Sequence, residues 1–293
     1  KCCRQKVIAR ICKIRYDRRN GKEGSRMKNY TLEVCVDSAE SAEAAVRGGA
    51  DRLELCGNLV IGGTTPEQAL FEKIRGLADI KVNVLIRPRY GDFLYTDYEF
   101  DIISRSVVRF REMGADGVVV GCLLPDGSLD VEWMKRLAEL AGSMDVTLHR
   151  AFDMCREPYE ALEQAKTLGI RTILTSGQQE SCWEGRELIA GLVKEGGGQV
   201  DIMAGGGVEA DTIGKLASAT GAVSYHMSGK VVLDSRMVYR KQEVSMGLPG
   251  LDEYRVFRTS EEKVRAAKGV LNALSCDFTG VGGKFPEKIQ SDS

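Results

Sequence analysis

Residues that could bind a metal, hold an anion or move a proton recur at alternate positions in short apolar runs of this sequence. They are Glu33, Cys35, Glu54, Cys56, Arg87, Thr147, His149, Asp201, Ser224 and His226. Carboxylates and imidazoles can transfer protons, thiolates and imidazoles can bind a soft metal ion, and guanidinium groups can hold anions. The chain has two histidines, and both belong to this set, which favours a functional site over an isolated structural histidine.

The runs that carry these residues belong to a pattern that occurs eight times. Each run is followed by a Gly or Pro turn and then by a stretch of helical character. The runs begin near Thr31, Arg52, Val82, Gly117, Asp145, Arg171, Gln199 and Ala222. A spacing of 21 to 35 residues fits one strand and one crossover helix, so the strands are predicted to be parallel. Eight such units predict an α/β fold, the (β/α)8 TIM barrel, with its site at the carboxyl ends of the strands.

The repeat defines the expected domain organisation. Residues 30–274 are expected to form one barrel domain, since this length is close to the roughly 250 residues of a typical barrel. Residues 1–29 include a basic segment that does not continue the pattern, and we expect a disordered or non-native leader there. Residues 275–293 are expected to be a loosely ordered tail.

The composition bears on partners and on the cellular compartment. With 41 basic and 42 acidic residues the net charge is −1, so neither nucleic acid nor a membrane surface is an expected partner. No apolar run approaches the roughly 20 residues of a membrane-spanning helix. The nine cysteines form no CxxC motif, which indicates reduced thiols in a cytoplasmic protein rather than a disulfide framework.

The alternation within the runs predicts where each side chain points. Apolar residues such as Leu32 and Val34 are expected to pack beneath the helices, because successive strand residues face opposite sides. The alternate residues, such as Glu33 and Glu54, then point inside the barrel. Because an unpaired buried charge is costly, this predicts a mutually neutralising network deep in the barrel and a ligand site nearer its mouth.

The loops after the strands predict an anion site at that mouth. The predicted ligand-binding residues are Arg87, Arg89, Asp92, Arg150, Asp153, Ser176, Gly205, Gly206, Gly207, His226 and Ser228. The three arginines can make bidentate contacts to carboxylate or phosphate, and the glycines follow the seventh strand, where many barrels hold phosphate. The alternative is that the arginines only pair with neighbouring carboxylates.

Several longer stretches resemble one known family. They are LEVCVDSAESAEAAVRGGADRLELC (32–56), GGTTP (62–66), IRPRYGDFLY (86–95), TLHRAFDM (147–154), ILTSG (173–177), MAGGGV (203–208) and HMSG (226–229). In this order, over residues 30–274, they resemble the CutC copper homeostasis family. The resemblance implies a TIM barrel that forms a cytoplasmic homo-oligomer, a dimer or tetramer, and that binds copper. It also implies that Cys35 and Cys56 are the copper ligands.

The proposed ligand pair is chemically reasonable. Cu(I) is a soft ion that prefers thiolates, and Cys35 and Cys56 have the same parity on adjacent strands, which lie roughly 4.8 Å apart. The alternative is that the two thiols only fill space, since free cysteine is among the most buried residue types.

Four hypotheses follow for the function. The first is a protein that binds Cu(I) through Cys35 and Cys56 and contributes to copper tolerance. The second is an enzyme for a small phosphorylated or carboxylated metabolite, with Glu33, Glu54 or His149 as catalytic acid or base. The third is a divalent metal site made by the same acids and the two histidines, which the nearby arginines disfavour. The fourth is a scaffold, against which the many inward charges argue.

Overall fold

The computed structural model of the protein describes residues 29–241, 244, 246–247 and 250–277. At its centre, eight parallel strands follow one another in chain order around a closed barrel, which confirms the predicted (β/α)8 fold. The strands are β1 (Thr31–Val36), β2 (Arg52–Leu55), β3 (Lys81–Leu85), β4 (Gly117–Val120), β5 (Asp145–Leu148), β6 (Thr172–Thr175), β7 (Asp201–Gly205) and β8 (Ser224–Met227).

Helices cover the outside of the barrel. They are α1 (Ala39–Gly48), α2 (Gln68–Arg75), α3 (Asp97–Glu112), α4 (Val131–Ala141), α5 (Pro158–Thr167), α6 (Arg186–Gly196), α7 (Ala210–Thr220) and α8 (Glu261–Asp277). Short 3-10 segments, Leu59–Ile61 and Arg150–Met154, shape the loops after β2 and β5. The last helix, α8, packs against both α1 and α7 and so closes the ring of helices.

Local sequence explains where several of these helices begin and end. The hydroxyl of Ser38 accepts a hydrogen bond from the Ser41 amide at the start of α1, and Gly49 ends that helix with a φ of 94°. Thr96 and Glu99 form a reciprocal capping box at the start of α3. Such sharp starts and stops fix the lengths of the loops that surround the mouth of the barrel.

The strands bury one layer of side chains on each of their two faces. On β1, Leu32, Val34 and Val36 are fully buried and belong to the large apolar core between strands and helices. Between them, Glu33 is also fully buried, and its carboxylate binds Arg52 of β2. A second, smaller apolar cluster consists of Cys35, Cys56, Leu85 and Val119. The alternation therefore separates the two layers as the sequence predicted.

A two-stranded antiparallel hairpin interrupts the eighth βα unit and was not predicted. Its strands are β9 (Lys230–Asp234) and β10 (Arg255–Thr259), inserted between β8 and α8. Lys230 pairs with Thr259 at the open end of the hairpin, where the chain enters from β8 and leaves towards α8. As a result, residues of both strands reach the cavity at the barrel mouth.

Most of the predicted leader and tail lies outside the described residues, which omit 1–28 and 278–293. The final helix continues to Asp277, beyond the expected domain end at residue 274. Of the helices that the structure describes, none combines the length and the apolar character that crossing a membrane requires.

Candidate functional site

A cavity of about 480 Å³ lies at the carboxyl ends of the barrel strands. Its lining residues are Cys35, Asp37, Ser41, Glu54, Leu59, Val60, Gly62, Leu85, Arg87, Phe93, His149, Arg150, Asp153, Met154, Leu174, His226, Ser228, Lys230, Phe257, Arg258 and Thr259. The lining residues come from strands β1, β2, β3, β6 and β8, from α1, from the loops after β1, β2, β3, β5 and β8, and from the β9–β10 hairpin.

Glu33 belongs to the interior of the barrel and links its own strand, β1, to three others. Its Oε2 accepts hydrogen bonds from Arg52 Nε at 2.5 Å and from Asn83 Nδ2 at 3.5 Å. Its Oε1 lies 2.8 Å from His226 Nδ1, across the seam where β1 meets β8. This cluster supplies the buried neutralising network that the inward charges require.

The charges within this network follow from its contacts. Burial raises the pKa of Glu33, but the hydrogen bond with His226 and the charge of Arg52 outweigh it, so the pKa is lowered. Burial lowers the pKa of His226, but the neighbouring Cys35, Glu54 and Glu33 outweigh it and raise the pKa well above its ordinary value. Glu33 is therefore a carboxylate and His226 an imidazolium, and Nδ1 donates the proton of their hydrogen bond.

His226 also belongs to a set of three potential metal ligands. One ligand atom each of Cys35, Glu54 and His226 lies within 4.8 Å of the other two. The Nε2 atom of His226 is 3.7 Å from Glu54 Oε2. A thiol, an imidazole and a carboxylate at this separation can converge on one metal ion, and the thiol and imidazole are donors that suit copper.

Cys56 lies beside this set of three rather than within it. Its Sγ donates to Glu54 Oε2 at 3.3 Å, and burial together with Glu54 and Cys35 raises the pKa of the thiol well above its ordinary value. Cys35 and Cys56 share the small apolar cluster, on neighbouring strands. The structure thus brings the two predicted thiols into one region and adds Glu54 and His226 to it.

His149 lies at the end of β5 and has one unused polar atom. Its Nδ1 accepts the amide N–H of Ala151 at 3.1 Å, and burial together with the charge of Arg87 lowers its pKa to about 3. In this neutral ring the proton must reside on Nε2, because Nδ1 is an acceptor. Nε2 is buried and has no hydrogen-bond partner among the described residues.

Arg87 follows β3 and is held by backbone carbonyls. Its terminal nitrogens donate to the carbonyls of Gly62 and Gly63, both at 3.2 Å, and of Gly91 at 2.7 Å. Only 8% of the residue is exposed, and no carboxylate of the described chain lies within ion-pair distance. The ring of Phe93 contacts both the Arg87 guanidinium and the His149 imidazole. The cavity therefore contains a buried cation with no charged partner.

Arg150 has the pairing role that the sequence left open. Its Nε donates to Asp153 Oδ2 at 2.7 Å, and a terminal nitrogen donates to Ser176 Oγ at 2.8 Å. Asp153 also accepts from the hydroxyl of Thr175 at 2.5 Å and from the Ser176 amide. This network joins the loops after β5 and β6, and Arg150 and Asp153 reach the cavity lining while Ser176 does not.

Arg89 and Asp92 bind each other outside the cavity lining. Arg89 donates to Asp92 Oδ1 at 3.0 Å and to Glu99 Oε1 at 2.6 Å. Further hydrogen bonds run to carbonyls of its own loop. These contacts fold the loop after β3 onto the start of α3, which places Arg87 and Phe93 at the mouth.

The glycines after β7 pack loops together and do not line the cavity. A Cβ atom at Gly205 would lie 2.5 Å from Leu174 Cδ1, and one at Gly206 would lie 3.1 Å from Ser176 Cβ. The carbonyl of Gly206 accepts the amide of Cys182. Gly207 has a φ of 79° and leads to the start of α7, where Glu209 puts a carboxylate at the helix N-terminus. Ser228, after β8, does line the cavity.

Sequence reasoning missed some of the site. Arg52 has the same strand parity as Glu54, so the alternation that identified Glu54 could have identified it as well. Lys230, Phe257 and Arg258 come from the unpredicted hairpin, and nothing in the eightfold pattern indicated that it would return to the barrel mouth.

Comparison with known proteins agrees with this architecture. The sequence profile described as the CutC family matches residues 30–231. A protein of Chromobacterium violaceum named as a CutC family protein is 45% identical over 241 residues, which are 82% of this chain and 98% of that protein. The human protein named copper homeostasis protein cutC homolog is 40% identical over 257 residues, 87% of this chain and 92% of its own.

A solved structure adds support at the level of three dimensions. The crystal structure of the CutC protein of Streptococcus agalactiae superimposes with a TM-score of 0.65 at 29% sequence identity. The superposition covers 68% of this chain and 98% of that one. Together with the matching profile, these relatives show that the chain belongs to the CutC family.

Proposed function

We propose that this protein acts in copper homeostasis and binds Cu(I) inside the mouth of its barrel. The observation that carries the proposal is the convergence of Cys35, Glu54 and His226 within 4.8 Å. The human relative is named for copper homeostasis, and its similarity extends over most of this chain. The resemblance and the geometry share one residue, Cys35, and the geometry adds Glu54 and His226.

The donors of this region differ in their suitability for Cu(I). Cys35 supplies a thiol and His226 an imidazole, both of which suit copper, whereas the carboxylate of Glu54 suits harder ions. Cys56 lies against Glu54 and offers a second thiol on the adjacent strand. We infer that Cys35, Cys56 and His226 are the ligands, and that Glu54 orients Cys56 and His226 by hydrogen bonding and by charge.

The surroundings favour retention of a soft ion. Cys56 and Val119 are fully buried, Leu85 is 5% exposed, and the side chain of Leu59 packs on this cluster. An apolar shell limits the access of water to a metal and to its thiolate ligands.

Acid–base catalysis by Glu33 and His149 has less physical support than metal binding, although burial raises the pKa of Glu54. An efficient proton-transfer group needs a pKa near the working pH, and the pKa of His149 is lowered to about 3. Glu33 is engaged on both carboxylate oxygens by Arg52 and His226. These contacts suit a fixed network better than a group that exchanges protons with a substrate.

Competition with a coloured Cu(I) chelator under anaerobic, reducing conditions tests the proposal. We expect wild-type protein to withdraw stoichiometric Cu(I) from the chelator, and Cys35→Ser/Cys56→Ser to lose this ability. His226→Gln should weaken binding by about tenfold or more, since loss of even an outer contact of a metal site costs 10- to 100-fold.

Cys122→Ser is the matched control. Cys122 is equally buried but belongs to the core outside the barrel, so this variant should bind Cu(I) as the wild type does. Undiminished Cu(I) binding by the double cysteine variant would refute the proposed site.

A further inference from the structure

We propose that the same cavity holds a second site, for a small organic dianion of the dicarboxylate type, formed by lining residues other than the copper ligands. Its residues are His149 and Arg87, after β5 and β3, and Lys230 and Arg258 of the hairpin. The copper ligands come from β1, β2 and β8, so the two sites use different side chains of one cavity. This inference does not depend on copper binding.

The first argument is an inventory of the charged groups that line the cavity. Two of the lining carboxylates lie beside a cation: Glu54 contacts His226, and Asp153 binds Arg150. The third, Asp37, accepts the neutral amide of Leu59. The lining cations Arg87, Lys230 and Arg258 have no carboxylate within ion-pair distance in the described part of the chain. Three lining cations and one lining carboxylate, Asp37, thus lack an oppositely charged partner, which leaves an excess of positive charge that an anionic ligand would complement.

The second argument is the orphan donor on His149. The residue is 4% exposed, it lines the cavity, and its Nε2–H has no partner among the described residues. A buried donor without an acceptor destabilises the fold, and native structures rarely retain one without a purpose. A carboxylate oxygen in the cavity would accept this hydrogen bond.

Arg87 lies beside His149 and would attract an anionic ligand by its charge, without bidentate hydrogen bonds from its terminal nitrogens. Its terminal nitrogens are engaged by the carbonyls of Gly62, Gly63 and Gly91. The guanidinium is thereby fixed in place while its charge stays unneutralised. Phe93 lies 4.9 Å from the Arg87 guanidinium and 4.8 Å from the His149 ring, which holds the two groups in a rigid wall.

The hairpin supplies two further cations of the cavity lining, Lys230 and Arg258. Arg258 donates to the carbonyl of its neighbour Phe257 at 2.8 Å, and Lys230 Nζ lies 4.8 Å from the centre of the Phe257 ring. Neither contact neutralises a charge. A ligand with two anionic ends can thus place one end at His149 and Arg87 and the other at the hairpin.

The rest of the lining favours an organic anion over inorganic phosphate. Leu59, Leu85, Leu174 and Phe257 give the cavity an apolar wall that would contact a carbon chain. A volume of about 480 Å³ also lies within the roughly 300–1,000 Å³ of small-molecule sites. A short dicarboxylate offers both the negative charges that the cations would bind and a carbon chain that the apolar lining would contact.

Titration calorimetry with succinate tests this inference, with succinamide as the neutral isostere. We expect succinate to bind the wild type and succinamide not to bind. His149→Gln and the double variant Lys230→Gln/Arg258→Gln should each weaken succinate by about tenfold, the effect of losing one charge-assisted contact. Arg240→Gln is the matched control, because Arg240 belongs to the segment after β9, binds Asp234 and does not line the cavity.

The same variants separate this inference from the copper proposal. His149→Gln and Lys230→Gln/Arg258→Gln should each bind Cu(I) like the wild type. Cys35→Ser/Cys56→Ser should bind succinate like the wild type. The inference is overturned if succinate fails to bind, if succinamide binds equally well, or if the hairpin double variant matches Arg240→Gln. Binding of phosphate in place of succinate would overturn the assignment to an organic dianion.

Discussion

His226 donates from Nδ1 to Glu33 Oε1 at 2.8 Å, and this bond joins the last strand of the barrel to the first. The same imidazole turns its Nε2 towards Glu54, 3.7 Å away, and so lies between two buried acids. One side chain therefore belongs both to the network that closes the barrel and to the candidate copper site.

Removal of the Glu33 charge should destabilise the fold. In Glu33→Gln, Arg52 and the His226 imidazolium lose their common carboxylate in the interior, and a broken buried ion pair costs about 3 kcal/mol or more. Urea unfolding gives the free energy directly. Glu43→Gln is the control, since the Glu43–Arg47 pair is more than half exposed and solvent screening should make its loss much smaller. Equal losses in the two variants would contradict a buried network.

His149 should make stability fall as the solution becomes acidic. Its pKa is lowered to about 3 by burial and by Arg87, whereas in the unfolded chain it is about 6.5. Between these values the unfolded chain binds the extra proton, so this group stabilises the fold above pH 6.5 and its contribution is lost as the pH falls towards 3.

The loss between pH 7 and pH 5 amounts to about 2 kcal/mol, at 1.36 kcal/mol for each unit of pKa difference. Denaturant unfolding of wild type and His149→Gln at both pH values checks this loss. Because the variant lacks the titrating ring, its free energy of unfolding should change less between pH 7 and pH 5. Identical pH slopes in the two proteins would show that His149 is not buried in neutral form.

Gly121 should be required for the position of His149. A Cβ atom at Gly121 would lie 2.6 Å from both Cε1 and Nδ1 of the imidazole, so Gly121→Ala must displace the ring. We expect weaker succinate binding and unchanged Cu(I) binding, measured by calorimetry and by chelator competition. Gly214→Ala is the control, because a Cβ there meets no atom within 4 Å and should leave both affinities unaltered. Wild-type succinate affinity in Gly121→Ala would argue against a His149 contact.

The cysteines should differ widely in reactivity. Burial, Glu54 and Cys35 raise the pKa of Cys56 well above its ordinary value, and the thiolate is the reactive form. Cys276 is the exposed cysteine of the described chain. Mass spectrometry after brief alkylation should find Cys276 modified early and Cys56 modified only after unfolding in urea. Alkylation of native Cys56 at the rate of Cys276 would contradict its buried position.

Strand parity allowed much of the interior to be predicted, because a side-chain period of two assigns every strand residue to a face. Once eight parallel strands are assumed to close, β1 and β8 become neighbours, and the meeting of Glu33 with His226 follows. The loops were less predictable. Arg87, Arg89 and Arg150 look equivalent in the sequence, yet one is held by carbonyls and two by carboxylates. Their partners depend on loop conformations that no periodicity encodes.

The β9–β10 hairpin was beyond prediction for a different reason. Its strands are separated by residues 235–254, and neither strand carries the repeat that identifies the barrel units. Pairing between distant short strands is set by the tertiary structure they meet, because short strands depend on their surroundings more than on intrinsic propensity.

The position of that hairpin has an evolutionary consequence. It enters the chain between β8 and α8, so its sequence can change without altering any barrel strand or the Glu33 network. Substitutions in the hairpin would change the polar groups that it contributes to the cavity and would leave Cys35 and Cys56 on the barrel strands unchanged. Under the two proposals above, related chains would keep the candidate metal ligands of the barrel strands and differ in their small-molecule preference through the residues at the positions of Lys230 and Arg258.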